Sequence, residues 1–478
     1  MPAHSSLFDL SAIPEIVGLD SRASLIRIPP ELDVPLTPRV RKIVDAPEFR
    51  RLADISQLGL VSLVYPGARH TRFEHSLGVY RLSLLFLRRL ANDPRFNQMV
   101  RTEEAPVLIA AALLHDIGHW PFCHPIEDLE LPGIPKHESI AARFVTEGRI
   151  AEILRNDWHI DPEDIITLLE KSEVRPRPNE SASEYERRAK AYRLFMSILS
   201  GPIDIDKMDY LLRDSIGCGV PYGRHFDQER LIGSLCLNEA GDGLAITSKG
   251  KTAAELMVFA RYVMFSEVYW HHTVRAATVM YQRAFELLYT SYVPNSTELV
   301  TAALSMSFET WLERLRSVCI SEDKQEFTEA LRLLDGLFTM KRSIFKQVRQ
   351  FSVMESPGLF HPLAGKPYTT LRAFTDRLIQ KIRASASLPF PIGINDILVD
   401  SPPAAKEIEF RIEVYSVNEQ KYRPLQEVSP VIRALAVEQF DHSVKKVRIF
   451  ARPEIAEPVR NIPNLDSLIR NTAEEIVS

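Results

Sequence analysis

The feature that most constrains the fold is a run of apolar residues that ends in a histidine and an aspartate. Residues 104 to 117 read EAPVLIAAALLHDI, a nearly all-apolar stretch that predicts a buried helix. His115 and Asp116 stand at the carboxyl end of this run. Two adjacent side chains that can bind a metal are costly to bury without compensation, so their position is informative. On its own, however, a His-Asp pair is more often structural than functional.

Helical periodicity dominates the first 290 residues. Residues 74 to 91 place apolar side chains at i, i+3, i+4 and i+7 spacing, and further helices are predicted over residues 137–147, 162–171, 191–199, 203–214 and 252–292. Residues 231–247 predict a β-hairpin, and the polar segment 173–188 predicts a mobile excursion. The helical pattern extends to about residue 385, and strand-like alternation follows in residues 390–399, 407–416 and 444–451. The predicted fold class is mostly α, with a helical core, a small β-hairpin and a C-terminal α+β module.

The composition argues against several classes of protein. The formal net charge is -5, so no excess of Lys and Arg favours non-specific binding to DNA or to a membrane. No stretch approaches the roughly 18 apolar residues that span a bilayer, and the start MPAHSSLFDL lacks a signal-peptide pattern. We therefore expect a cytoplasmic protein without membrane partners. The four cysteines form no CxxC pair, which argues against a disulfide framework or a thiolate zinc site.

Three segments together offer the ligands of a metal site. HDIGHWPFCH holds three histidines within residues 115 to 124, His75 lies near the start of an apolar helix, and IDIDKMDY offers three carboxylates within residues 203 to 210. Imidazole and carboxylate ligands suit Mn, Fe, Ni, Co or Zn, and a helix end leaves positions open for water and substrate. Composition does not choose among Asp204, Asp206 and Asp209 for the last ligand, because the helix dipole also favours acidic residues at a helix start.

These segments resemble a known family. FEHSLGV, HDIGHWPFCH and IDIDKMDYLLRD, in this order and at these separations, are similar to the HD-domain deoxynucleoside triphosphate (dNTP) triphosphohydrolases over about residues 38 to 290. The resemblance implies that a divalent ion (Mn, Fe, Mg, Ni, Co or Zn) is held by His75, His115, Asp116 and Asp206. With the change of pattern near residue 389, it predicts an N-terminal segment 1–37, an HD phosphohydrolase core 38–293, a helical extension 294–388 and a small α+β module 389–478.

The resemblance also implies which residues surround the metal. It assigns catalytic positions to His119, His124, Glu127 and His137. It assigns substrate binding to Gln57, Arg72, Lys207, Tyr210, Asp214, Arg261 and Tyr269. Among these, Gln57 and Asp214 match residues that bond the sugar 3'-hydroxyl, and the two tyrosines match aromatics that wall the sugar. Because imidazole titrates near neutral pH, we expect His124, assisted by Glu127, to act as acid or base.

The favoured hypothesis is hydrolysis of dNTPs to deoxynucleoside and inorganic triphosphate by a homo-oligomer, a dimer or tetramer implied by the resemblance alone. Trp270 stands where a smaller polar residue usually follows the tyrosine, so the substrate is less defined than the reaction. Two alternatives stay open. One is a phosphohydrolase or nuclease that acts on another nucleotide or on single-stranded nucleic acid. Nucleic acid is a possible partner of this protein but not the favoured one. The other is a non-catalytic nucleotide sensor that uses the C-terminal module for partners.

Overall fold

A computed structural model describes residues 8–21, 23–292, 304–321, 324–385, 391–402, 411–435 and 444–477. Seven helices carry or support the site and are numbered α1 Arg72–Leu90, α2 Ala105–Leu114, α3 Cys123–Glu127, α4 His137–Thr146, α5 Ile205–Cys218, α6 Lys251–Met264 and α7 His272–Tyr292. The other described α-helices are Pro14–Gly18, Pro38–Val44, Pro47–Arg50, Pro94–Met99, Gly148–Ile153, Pro162–Leu169, Ala182–Ser200, Gln228–Ser234, Phe308–Ser321, Gln325–Phe338, Pro357–Phe360, Tyr368–Ser385, Leu425–Val428, Pro430–Ala434, Pro453–Arg460 and Leu465–Val477. The mostly α fold class is confirmed.

The apolar helix α2 lies at the centre of the core, as its sequence predicts. All its residues except Pro106 are buried. It packs against α1, and α5 packs against α1 in turn. At Gly78 of α1 an added Cβ would lie 1.9 Å from Oδ1 of Asp209 in α5, so the two helices approach closely only because this residue has no side chain. The three helices therefore bring their site residues together by core packing.

Within the described residues, nine strands form three small sheets. The strands are β1 Leu25–Ile28, β2 Leu32–Pro35, β3 Leu235–Leu237, β4 Leu244–Thr247, β5 Lys346–Phe351, β6 Ile397–Asp400, β7 Glu413–Ser416, β8 Lys421–Pro424 and β9 Val447–Ala451. They pair in the orders β1-β2, β3-β4-β7-β8 and β5-β9-β6. The predicted hairpin is confirmed from residue 235 onward, with Leu235 of β3 opposite Ile246 of antiparallel β4, whereas residues 231–234 belong to the helix Gln228–Ser234. The three predicted C-terminal strand regions overlap β6, β7 and β9, and residues 390 and 407–410 of these regions lie outside the described residues.

The structure corrects three predictions of local structure. The basic segment 341–349, which lies in the stretch predicted to be helical up to about residue 385, runs into strand β5, which pairs with β9. The long helix predicted over 252–292 is two helices, because the π-type turn Phe265–Tyr269 separates α6 from α7. The segment 173–188, predicted as a mobile excursion, includes the start of the helix Ala182–Ser200. There Arg188 is 3% exposed and its Nη2 lies 2.7 Å from Oε2 of Glu180, so this segment is tied to the core.

The predicted division after residue 293 stays a prediction. Strand pairing crosses its boundaries in two places, since β5 of the expected extension pairs with β9 of the expected module, and β7 of that module lies parallel to β4 of the core.

Candidate active site

Two histidines and an aspartate from different parts of the core meet at one point. His75 lies near the start of α1, His115 directly follows α2, and Asp206 lies in the first turn of α5. The Nε2 atom of His75 is 3.1 Å from Nε2 of His115 and 3.0 Å from Oδ1 of Asp206. The ligand atoms of all three residues lie within 4.8 Å of one another. Such a set of imidazole and carboxylate groups can hold a divalent metal ion.

Asp116 lies beside this group and carries its own cation. Its Oδ1 is 3.6 Å from Nε2 of His115, its Oδ2 is 3.8 Å from Nε2 of His75, and Arg72 donates to Oδ2 at 2.7 Å. Burial acts to raise the pKa of the Asp116 carboxyl, but the nearby histidines and Arg72 outweigh it and hold the pKa well below its usual range. Asp116 is therefore a carboxylate within reach of the same ion.

The geometry separates the three carboxylates that composition left open. Asp204 caps α5 by accepting the backbone N–H of Lys207 at 2.6 Å. Asp209 accepts two hydrogen bonds from Arg213, at 2.7 and 2.8 Å, and lies behind His75. Asp206 is the member of the three whose carboxylate faces the His75 and His115 Nε2 atoms.

Both histidines of the group are oriented through their other ring nitrogen. Nδ1 of His75 lies 2.8 Å from Oδ2 of Asp209, and Nδ1 of His115 lies 2.9 Å from the carbonyl oxygen of Ala112. These acceptors place the ring proton on Nδ1 and leave Nε2 directed into the group. Burial opposes the charged form of His75, but the hydrogen bonds to Asp206 and Asp209 raise its pKa to about 10, so a metal ion would bind Nε2 by displacing a proton.

A second group of histidines adjoins the first. Ring nitrogens of His119, His124 and His137 lie within 4.8 Å of one another, and the Nε2 atoms of His119 and His124 are 3.2 Å apart. Nδ1 of His119 faces the carbonyl oxygen of Asp116 at 3.1 Å. Burial, followed by the charge of Arg72, holds the pKa of His119 well below its usual value, so this imidazole is neutral near pH 7.

Glu127 contacts both of its neighbouring histidines, but it is closer to His137 than the prediction implied. Its Oε2 lies 3.0 Å from Nδ1 of His137 and 3.7 Å from Nδ1 of His124, and its Oε1 accepts the backbone N–H of His137 at 2.7 Å. Burial acts to raise the pKa of Glu127, but hydrogen bonds with His124 and His137 outweigh it and lower the pKa to about 2. Glu127 is therefore an anion that orients His137 directly and His124 over a longer distance.

A cavity of about 210 Å³ opens beside these histidines. Its lining includes four of the predicted residues, Gln57, Arg72, His124 and Tyr269. Oε1 of Gln57 is buried and has no hydrogen-bond partner among the described residues, so it is an acceptor that a bound molecule could satisfy. A larger cavity of about 690 Å³, against Glu48 and Arg143, contains none of the predicted site residues.

Asp214 is held between two side chains at the edge of this region. Tyr269 donates its hydroxyl to Oδ2 of Asp214 at 2.6 Å, and Nε2 of His70 lies 2.8 Å from Oδ1. The ring of Tyr210 stands edge-on to that of Tyr269 with centroids 6.4 Å apart. The structure thus brings together three of the predicted sugar-binding residues and adds His70. His70 lies 144 residues before Asp214 in the sequence, so no local sequence pattern predicts their contact.

Lys207 and Arg261 lie on the same side as Tyr210. The Nζ of Lys207 donates to the carbonyl oxygen of Gly201 at 3.0 Å and also contacts Asp204, so it must exchange these acceptors to bind a substrate. Arg261 lies over the ring of Phe265 and is close enough to Tyr210 that its charge opposes the rise in the pKa of Tyr210 caused by burial.

Sequence reasoning missed Arg51, which fixes the loop between the two histidine groups. Its Nη1 donates to the carbonyl oxygen of His119 at 2.5 Å, and its Nη2 donates to that of Ile117. Arginine in an ordinary helical stretch gives no indication that its partners are backbone atoms more than sixty residues away.

Family comparisons agree with this arrangement. Residues 72–214 match the HD domain, and residues 226–357 match the HD-associated region. The chain therefore contains an HD domain followed by an HD-associated region.

Among curated relatives, an uncharacterised Methanocaldococcus jannaschii protein, MJ1154, is 34% identical over 254 residues, 53% of this chain and 47% of that protein. The uncharacterised YwfO of Bacillus subtilis is 32% identical over 243 residues, 50% of this chain and 49% of its own length. The deoxynucleoside triphosphate triphosphohydrolase SAMHD1 of Gallus gallus is 31% identical over 271 residues, 53% of this chain and 43% of SAMHD1. The chain thus spans about half the length of these relatives.

Solved structures share the fold over most of the chain. A hypothetical protein from Aquifex aeolicus superposes with a TM-score of 0.66 at 27% identity, covering 91% of this chain and 98% of the other. A phosphohydrolase from Bacteroides thetaiotaomicron has a TM-score of 0.61 at 24% identity and covers 90% and 99%, which shows the shared fold.

Among the residues that the structure describes, no helix combines the length and apolar character that crossing a membrane requires.

Proposed function

We propose that this protein is a metal-dependent phosphohydrolase that converts dNTPs into deoxynucleoside and inorganic triphosphate. The observation that carries the proposal is the convergence of His75, His115, Asp116 and Asp206 beside a second, partly neutral histidine group. The choice of dNTPs is supported by relatives from three vertebrates, each named a deoxynucleoside triphosphate triphosphohydrolase, at 28–31% identity over 53% of this chain.

The four residues of the first group would hold the ion. Two imidazoles and two carboxylates suit Mn, Fe, Ni, Co or Zn better than an all-oxygen site would. A bound divalent ion there would polarise a phosphoryl oxygen and make a nearby water more acidic. Asp209 and the carbonyl of Ala112 keep the two imidazoles in the tautomer that this role requires.

The fixed cations would stabilise charge on the phosphate chain. Arg72 is buried beside Asp116 and lines the cavity, so its guanidinium is held in place before a substrate binds. Water attack on phosphorus places negative charge on phosphoryl oxygens, and preorganised donors stabilise such charge more than solvent does. Lys207 would add a second cation after leaving its present acceptors.

His124 is the proposed acid or base. Its Nε2 lies 3.2 Å from the neutral His119, and its side chain is exposed enough to reach a substrate in the cavity. Glu127 would orient His124 and the adjacent His137 through its contacts with both histidines. The sugar would lie against Tyr210 and Tyr269, with Gln57 and Asp214 as hydrogen-bonding partners of its 3'-hydroxyl.

Product analysis tests the reaction. The purified protein is incubated with each of the four dNTPs and four NTPs, with Mn or Mg, and the products are separated by chromatography beside an Asp206→Ala control. We expect deoxynucleoside and triphosphate from the dNTPs, and neither product from the control.

Other outcomes of this experiment decide between the alternatives. Release of monophosphate or pyrophosphate would contradict triphosphate release, but the protein would still be a phosphohydrolase. Saturable nucleotide binding without turnover under any metal would contradict an enzyme and favour a nucleotide sensor.

A further inference from the structure

The C-terminal strands contact Arg275, a residue of the cavity wall. Arg275 lies in the first turn of α7 and lines the cavity of about 210 Å³. Its Nη2 is 2.6 Å from Oδ1 of Asp400 in β6, and its Nε is 3.1 Å from each of the two carboxylate oxygens. This two-pronged contact fixes both the position and the plane of the guanidinium group. A part of the chain far from the histidine groups therefore shapes the cavity wall.

Asp400 is shared with a second arginine. Nη1 of Arg448 in β9 lies 3.6 Å from Oδ2 of Asp400, and its Nη2 donates to the carbonyl oxygen of Trp270 at 3.0 Å. Asp400 is 1% exposed and Arg448 is 4% exposed, so water screens this group little. Arg275 also lies over the ring of Trp270, 4.8 Å from its centroid. Asp128 lines the same cavity and lies close enough to Arg275 that the guanidinium charge opposes the rise in the pKa of Asp128 caused by burial, so two carboxylates accompany these two guanidinium groups.

The other cations of the cavity belong to its metal side. Arg72 bonds Asp116 and His124 contacts His119, so both are tied to the histidine groups where the phosphates would bind. Arg275 is tied instead to the C-terminal sheet, and Val274 and Thr278 of the same helix continue the wall beside it. A nucleotide whose phosphates bind beside Arg72 and His124 would direct its base, rather than its phosphate chain, toward this wall.

We propose that Arg275 recognises the nucleobase, and that Asp400 and Arg448 are positioning residues that act through it. The proposal rests on the proposed nucleotide site. A guanidinium group only donates hydrogen bonds, so it favours a base with a carbonyl oxygen at its outer edge. Guanine and thymine present such an oxygen, whereas adenine and cytosine present an amino group at the corresponding position. Arg275 therefore selects keto bases over amino bases.

Arg275→Met is the main test, because it removes the donor while Arg448 still neutralises Asp400. We expect kcat/KM for dGTP and dTTP to fall by roughly tenfold relative to dATP and dCTP, the usual effect of losing one specific base contact. Metal content should stay unchanged. Arg275→Lys keeps the charge but loses the planar fork, and we expect it to give an intermediate ratio.

The positioning role is tested with Asp400→Asn, alone and combined with Arg275→Met. If Asp400 acts through Arg275, the single variant lowers the ratio of kcat/KM for dGTP and dTTP to kcat/KM for dATP and dCTP. The double variant then lowers this ratio no further than Arg275→Met does. Should Asp400→Asn fail to fold, Arg448→Met replaces it, and we expect the ratio to fall there as well. Arg377→Met is the matched control, because Arg377 forms an exposed pair with Glu475 in the same half of the chain.

Binding of non-hydrolysable dNTP analogues in which a methylene group replaces the 5'-oxygen, measured by calorimetry, separates this inference from the proposed function. A protein that binds the analogues but hydrolyses no dNTP contradicts the proposed function, and the ratio of dissociation constants then tests Arg275. If Arg275→Met loses affinity equally for the analogues of all four bases, or shows no change in affinity, base recognition by Arg275 is overturned. A wild-type protein that binds none of the analogues overturns both.

Discussion

At the residue scale, the imidazole of His75 depends on a carboxylate that does not face the metal position. Asp209 accepts from Nδ1 of His75 and is itself held by Arg213. We expect Asp209→Asn to weaken metal binding by about 10- to 100-fold, because such outer carboxylates fix the ligand tautomer. Metal affinity measured by competition with a chelator checks this. Asp242→Asn, in the surface pair with Arg193, is the control, and equal affinities in both variants would rule out the role of Asp209.

Glu127 makes stability depend on pH in a predictable direction. Its pKa is lowered from about 4.5 to about 2, so its charge stabilises the folded state above pH 4.5 and this stabilisation is lost as the pH falls toward 2. The full effect is about 3 kcal/mol. We expect the free energy of unfolding of Glu127→Gln to lie below that of the wild type at pH 7 and the difference to shrink at pH 3.5. Urea unfolding at both pH values measures it, and a difference independent of pH would contradict the assignment.

The sequence indicated the residue types of the site but not every partner. Composition left Asp204, Asp206 and Asp209 as equal candidates, because all three lie within one helical turn and a half and only packing against α1 decides which faces His75. The resemblance pointed to Asp206, and the geometry places it there. Arg275 could not be predicted as part of the wall, since its partner Asp400 lies 125 residues away in a strand.

At the element scale, helix α4 packs directly on the loop that carries the second histidine group. A Cβ at Gly118 would lie 1.9 Å from the carbonyl oxygen of His137 and 2.6 Å from the backbone nitrogen of Ala141, both in α4. We expect Gly118→Ala to displace α4 and to destabilise the protein by about 1–3 kcal/mol, since backbone atoms cannot yield as a flexible side chain can. We expect both the midpoint temperature of thermal unfolding and the rate of nucleotide turnover to fall.

Gly233→Ala is the matched control for this prediction. Gly233 lies in the helix Gln228–Ser234, and a Cβ there would meet no atom within 4 Å. Alanine should raise stability slightly at this position because it favours helix by roughly 0.5–1 kcal/mol over glycine. Equal losses of stability in the two variants would show that close packing at Gly118 is not the cause.

The elements that sequence patterns predicted best are those whose partners are close or whose burial is complete. Helix α2 is apolar on all sides and the β3-β4 hairpin is closed by a short turn, so local signals suffice for both. Strand β5 was wrongly predicted as helical, because its pairing partner β9 lies about a hundred residues later and local periodicity carries no record of that pairing. The same reason hides the parallel pairing of β7 with β4.

At the scale of the whole molecule, the proposed metal ligands come from segments far apart in the sequence, and unfolding separates them. An ion that binds this site binds the folded chain alone, so it must stabilise the fold by mass action. We expect a metal at a hundred times its dissociation constant to raise the free energy of unfolding by about 2.7 kcal/mol over the protein in chelator. Denaturant unfolding with Mn and with EDTA measures this difference. In Asp206→Ala the difference should nearly vanish, whereas Arg377→Met should keep it. Equal stabilisation of the wild type and Asp206→Ala would mean that the ion binds elsewhere, and the convergence of α1, α2 and α5 would then be packing without a metal site.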